Sequence, residues 1–222
     1  MHRRSRDSRA MVMTLILARH GQTAWNREER FRGHTDLPLD ETGRRQAEAL
    51  ADCVTPVGAH SSAPYQPAAV YTSPLQRATA TAAPTAARLN LETQLTPGLL
   101  DIDFGRFSGL SPREAEAAYP QVQRAWMEAP HTVCFPGGES LSDVRARAAG
   151  FLWEAVSRHG DQQVLMVSHL VVCRTLFCYL LGLPESHYWR FQLDTASVSV
   201  FAITGGVATL LLANDTSHLR NL

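Results

Sequence analysis

The chain has 222 residues, enough for one sizeable core without demanding two domains. Its 21 basic residues balance 21 acidic ones, so no global field calls for nucleic acid or an anionic membrane. Hydrophobic residues make up 45%, as in ordinary globular proteins, and no apolar run is long enough to span a bilayer.

The opening MHRRSRDSRA is basic and lacks apolar periodicity, which predicts a disordered tail over residues 1–12 and a single domain over 13–222. The MVMTLILA stretch could pass for a signal-peptide core, but cleavage there would cut into the best strand. Cys53, Cys134, Cys173 and Cys178 are scattered, without C-x-x-C spacing, and read as reduced packing residues of a cytoplasmic protein.

Leu15, Ile16 and Leu17 form an apolar run that closes on Arg19, His20 and Gly21. Buried strands of α/β sheets end this way, and ligands sit just beyond their carboxyl ends. A cation, an imidazole and a glycine at that place suit a small anion. A helix is expected from Glu41 or Thr42, with Ala47, Leu50, Ala51 and Val54 as its buried stripe, and residues 56–67 read as a loop. Residues 68–72 form the second strand. Ser73 and Pro74 then read as N-cap and first turn of a helix that Pro84 should kink or interrupt, with Arg77 one turn in.

Residues 95–107 alternate apolar and acidic, and a period of two puts Asp101 and Asp103 on one face of an extended segment. A helical piece over 111–129 follows. Ser140 and Asp143 then resemble a capping box for a strong amphipathic helix ended by Gly160. Val164 to Val167 is another buried strand, closing on Ser168 and His169 before a helix apolar nearly all round. His169 thus sits at a positive helix end suited to an anion. Residues 196–203 and 207–212 read as a hairpin across Gly205 and Gly206, followed by an extended tail.

Two strand ends therefore carry His20 and His169, a third carries Arg77, and an extended piece carries Asp101. A phosphoryl group presents negative oxygens, an electrophilic phosphorus and a leaving oxygen that needs a proton. This set supplies a nucleophilic imidazole, cationic clamps and a general acid. No metal-ligand motif is present and no cofactor is expected, so arginines would neutralise the charge.

At these residues the chain resembles the histidine phosphatase superfamily, also called phosphoglycerate mutase-like. The likeness runs from Met13 onward through LARHGQT (residues 17–23), Trp25 and Asn26, Gly33, DLPL (36–39), Gly43, Gln46 and Ala47. It continues through SPLQRA (73–78), Thr81 and Ala82, Asp101, Phe104 and Gly105, Gly109, GGES (137–140) and Val167 to His169. The resemblance implies a three-layer α/β/α sandwich with a mostly parallel central sheet. It implies a phosphohistidine on His20, with Arg19, Arg77 and His169 around the phosphoryl oxygens. Thr23 and Asn26, with Gly21, Gln22, Arg32, Gly33 and Leu170, would complete the substrate-binding set. Asp101 matches the proton donor, although that position is usually glutamate, with Asp103 and Glu139 as fallbacks. In this chemistry His20 must be neutral at its attacking nitrogen, the other nitrogen donating to a carbonyl, while His169 works best as a cation.

The activity implied is metal-independent hydrolysis of a small phosphorylated metabolite, in the cytoplasm, without nucleic-acid or membrane partners. A homodimer is compatible with the sequence but not required. A cofactor-dependent phosphoglycerate mutase is the rival, but mutases carry a longer insertion with paired arginines, where residues 109–138 offer only Arg113 and Arg124. A non-catalytic phospho-ligand-binding module is the other alternative. Residues 107–135 should wall the pocket, with Tyr119, Trp126, Met127 and His131 as contacts.

Overall fold

A computed structural model describes residues 11–55 and 65–222, so nearly all of the expected tail and most of the 56–67 loop lie outside the described residues. Six strands form one sheet: β1 (Val12–Arg19), β2 (Ala69–Thr72), β3 (Thr93–Leu95), β4 (Gln163–Ser168), β5 (Val198–Thr204) and β6 (Val207–Asp215). Their spatial order is β3-β2-β4-β1-β5-β6. The first four run parallel, and β5 and β6 are antiparallel additions on the β1 edge. Among the described residues seven α-helices accompany them: α1 (Ala24–Arg27), α2 (Glu41–Val54), α3 (Gln76–Leu89), α4 (Pro112–Ala118), α5 (Pro120–Glu128), α6 (Leu141–His159) and α7 (Leu170–Leu180).

The two-residue period of β1 explains the three layers. Ile16 and Ala18 point to one face, where Leu50 and Val54 of α2 and Ala78, Ala82 and Ala86 of α3 cover them. Met13, Leu15 and Leu17 point to the other, under Val144, Ala148 and Leu152 of α6 and Val172, Leu176 and Phe177 of α7. Each fully buried leucine or phenylalanine contributes about 1.5–3 kcal/mol, so both faces are fixed by burial. The fold is the expected α/β/α sandwich with a mostly parallel sheet.

Several local expectations are corrected. The helix after β2 starts at Gln76, not at Pro74. Its first amide donates to Asp36 Oδ1 at 2.7 Å, so a carboxylate from a distant loop takes the place of the Ser73 cap. Pro84 lies inside α3 without ending it. The carbonyl that loses its donor belongs to exposed Ala80, where water can replace it. Residues 95–107 are not an extended alternating segment. β3 stops at Leu95, a 3₁₀ turn forms over Pro97–Leu99, and both Asp101 and Ile102 are buried. The 111–129 helix is two helices that break at Tyr119, whose backbone is kept out of the helical region by Pro120. The C-terminus is no extended tail: β6 runs to Asp215 and a 3₁₀ turn follows over Ser217–Leu219. Cys173 and Cys178 are buried as expected, Cys53 is half-buried, but Cys134 is exposed.

Candidate active site

Parallel pairing brings the carboxyl ends of β1, β4 and β2 side by side, with Arg19 opposite Ser168 and Thr72 opposite Val167. His20 follows β1 and His169 follows β4. The His20 amide donates to the Ser168 carbonyl at 2.9 Å, and the two imidazole centroids are 5.2 Å apart. Both rings are fully buried.

Their hydrogen bonds fix different tautomers. His20 Nδ1 is 2.6 Å from the Gly21 carbonyl, which can only accept, so the proton is on Nδ1 and Nε2 keeps its lone pair. His169 Nδ1 receives the Arg77 Nε–H at 3.1 Å, so its proton is on Nε2. Both Nε2 atoms are buried without a hydrogen-bond partner among the described residues. One imidazole thus offers a free lone pair and its neighbour a free N–H.

Arg77, in the first turn of α3, is completely buried and ties the centre together. Besides His169 it donates to the carbonyls of Thr35 and Gly33, each at 2.8 Å, and to Asp101 Oδ2 at 3.1 Å. Asp101 Oδ1 takes the Ile102 amide at 3.0 Å, and its backbone carbonyl accepts from His34 and Arg147, each at 2.9 Å. Arg19 donates to the Leu193 carbonyl at 2.7 Å, while its buried Nε has no partner. Burial and then the nearby Arg32 charge pull the Arg19 guanidinium down to about 10.

The loop holding His20 depends on two glycines. A Cβ on Gly21 would lie 2.7 Å from the Gly43 carbonyl oxygen, and one on Gly43 only 2.1 Å from that of Gln22. Strand end and helix start therefore cross at backbone contact. Several expected substrate contacts also hold this frame. Gly21 N–H is committed to Thr81 Oγ1, Gln22 Nε2 to Asp40, Thr23 to Asn26 Oδ1, and the Gly33 carbonyl to Arg77. The fallback acids are also engaged: Asp103 Oδ1 takes the Gly105 amide, and Glu139 holds Arg147 and the Asp103 amide.

A cavity of about 560 Å³ adjoins this centre, with Arg19 and Asp101 in its wall, while His20, His169 and Arg77 lie behind it. Asn26, Arg32 and Leu170 line it, as do Trp126 and Met127. Tyr119 instead stacks on Phe107 at 5.1 Å, and His131 is exposed outside the cavity. Arg30, Arg174, Tyr188 and Trp189 also line the wall, and these the sequence reading did not single out as pocket contacts. Among the described residues, three ligand-type side chains, Cys53, Asp215 and His218, gather within 4.8 Å, but none belongs to the His20 centre. Both Asp215 oxygens already accept from Ser217.

The expected His169 cation belongs to the phosphoryl-bound site; without a ligand the electrostatics favour the neutral ring. Burial first, then Arg77 and His20, hold its pKa well below the ordinary value, and burial with Arg77 and Arg19 does the same for His20. These shifts favour the neutral form of both rings in the ligand-free folded chain. The unfolded chain takes up protons near pH 6.5 that the folded one refuses, so stability should fall as pH drops below that value. Each ring adds at most about 1.4 kcal/mol per pH unit to this slope. Urea unfolding of the native chain and His169→Gln between pH 7 and 5 checks it: the variant should lose less stability over that interval, and equal slopes would contradict neutral burial of His169.

The family model for the histidine phosphatase superfamily (branch 1) matches residues 15–216. Phosphoserine phosphatase 1 of Hydrogenobacter thermophilus is 39% identical over 208 residues, spanning 94% of this chain and 95% of that protein. Among solved structures, Bacillus stearothermophilus YhfR superposes with a TM-score of 0.86 at 32% identity, covering 94% of this chain and 100% of the other. A mycobacterial glucosyl-3-phosphoglycerate phosphatase in complex with VO3 gives a TM-score of 0.82 at 29% identity, over 91% of this chain and 99% of that one. Sequence and fold agree across nearly the whole length, and the chain belongs to the histidine phosphatase superfamily.

Proposed function

We propose that this phosphatase hydrolyses the monoester of a small phosphorylated metabolite through a phosphohistidine on His20. The observation that carries the reading is the pair of buried, partnerless Nε2 atoms, one a lone pair and one an N–H, beside Arg19, Arg77 and Asp101. His20 Nε2 attacks phosphorus, and the bond from phosphorus to the leaving oxygen breaks. His169 Nε2–H and the two guanidinium groups face the charge on the phosphoryl oxygens. The Asp101 carboxylate takes up the proton that the phosphomonoester monoanion carries and passes it to the departing alkoxide. It then takes one from a water that attacks phosphorus and releases His20 with inorganic phosphate. No metal is assigned to these steps, because the guanidinium and imidazole donors would themselves offset the phosphoryl charge.

The relatives named for phosphoserine and glucosyl-3-phosphoglycerate support a small metabolite as substrate. Four unpaired thiols agree with a reducing, cytoplasmic setting.

Leaving-group dependence tests the acid. With EDTA present, the native chain should hydrolyse both p-nitrophenyl phosphate and an alkyl phosphate. In single-turnover experiments Asp101→Asn should slow phosphorylation by the alkyl ester roughly 10²–10⁴-fold, and by the aryl ester far less, because p-nitrophenolate departs without a proton. Equal losses on both esters would remove Asp101 from the acid role, and silence of the native chain on all phosphomonoesters would favour a binding module.

A further inference from the structure

The charges in the cavity wall do not cancel. Four guanidinium groups line it, those of Arg19, Arg30, Arg32 and Arg174, against the carboxylates of Asp101 and Glu29. Arg30 is neutralised by Glu28 and Glu114, each at 3.0 Å, and Asp101 is taken by Arg77. Arg19 is the last residue of β1, next to His20, and belongs with the phosphoryl group. Arg32 and Arg174 remain, and among the described residues neither has a carboxylate within 4.0 Å.

Arg174 is held in place without being neutralised. Its Nε donates to the Phe191 carbonyl at 2.7 Å. Its guanidinium carbon lies 5.1 Å from the Tyr188 ring centroid and 5.0 Å from that of Trp189. Trp189 is itself fixed by its Nε1–H on the Trp126 carbonyl at 2.9 Å. Rings and backbone immobilise the planar group, so little entropy is left to lose when its terminal N–H groups meet a ligand. Arg32 has a buried Nε with no partner and only long contacts of 3.4 Å from Nη1 to the Trp25 and Arg30 carbonyls. Two uncompensated cations beside Phe31, Phe104 and Trp126 are costly unless an anion arrives.

We propose that Arg174, assisted by Arg32, binds a carboxylate on the leaving alcohol, so that the preferred substrates are O-phosphorylated carboxylic acids. A carboxylate fits the fork of a guanidinium with two parallel N–H···O bonds, whereas a neutral alcohol leaves both cations unpaired. The inference rests on the phosphatase reading above and adds a second anion subsite to it.

The test compares substrates that differ only by the carboxylate: O-phosphoserine against O-phosphoethanolamine, and 3-phosphoglycerate against glycerol 3-phosphate. The native chain should favour the acid of each pair by roughly 10–100-fold in kcat/KM, mostly through KM, the effect of a charged hydrogen-bonded pair. Arg174→Gln should collapse the ratio within each pair, and Arg174→Lys should restore part of it. A merely structural role for Arg174 would lower both members alike and leave the ratio unchanged. p-Nitrophenyl phosphate separates the two failures. If the native chain does not cleave it, the phosphatase reading falls. If it does, yet turns over both members of each pair equally, the carboxylate subsite alone is overturned, whether or not the variants fold.

Discussion

His20→Ala should abolish turnover, lowering kcat by roughly 10⁴-fold or more, as loss of a covalent nucleophile does. The size follows from the tautomers. Of the two imidazoles only His20 carries a free lone pair, on Nε2, because the His169 lone pair is taken by Arg77 and its Nε2 bears the proton. His169 cannot substitute without giving up that contact. The loss should fall on chemistry and not on folding, since the ring's one protein hydrogen bond goes to the adjacent Gly21 carbonyl. Rapid quenching of the native chain with ³²P-labelled substrate should trap an acid-labile, alkali-stable phosphoenzyme that His20→Ala lacks. A variant that kept near-normal rates would exclude the phosphohistidine route.

The parts of this site that were legible in the sequence are those tied to buried strand ends. An apolar run closing on Arg19-His20-Gly21, and another closing on Ser168-His169, mark β1 and β4 because a strand buried on both faces has a continuous apolar signature. Arg77 could be placed from the short span between β2 and the helix that follows. Its four-way role could not, because Gly33, Thr35, Asp101 and His169 reach it from three other parts of the chain. Asp36 capping α3 escaped for the same reason. The protonation of His169 depends on total burial and on where Arg77 points, neither of which a strand-end histidine reveals by itself. Tyr188 and Trp189 lie in a 3₁₀ segment, Glu185–Arg190, that has no apolar period to single them out. Arg174 sits on a helix that is apolar nearly all round, so its charge is the one signal in the sequence that marks it.

Arg77→Met should cost both stability and activity, and the two losses can be separated. The substitution keeps much of the buried volume but leaves Asp101, which is 3% exposed, as a carboxylate without its cation, and it strands the Gly33 and Thr35 carbonyls. Removing one partner of a buried ion pair typically costs about 3–5 kcal/mol, and a chain of this size loses roughly 2–4 °C of Tm per kcal/mol. Adding Asp101→Asn removes the stranded charge, so the double variant should be more stable than Arg77→Met alone. Activity should not recover, because the clamp on the phosphoryl oxygens and the acid are then both gone, and kcat should stay at least about 10²–10³-fold down. A double-mutant cycle on unfolding free energies, run beside kcat, reads the coupling directly. A double variant no more stable than Arg77→Met would show that the Arg77–Asp101 pair is not what holds the strand ends together, and the convergence of the site would need another cause.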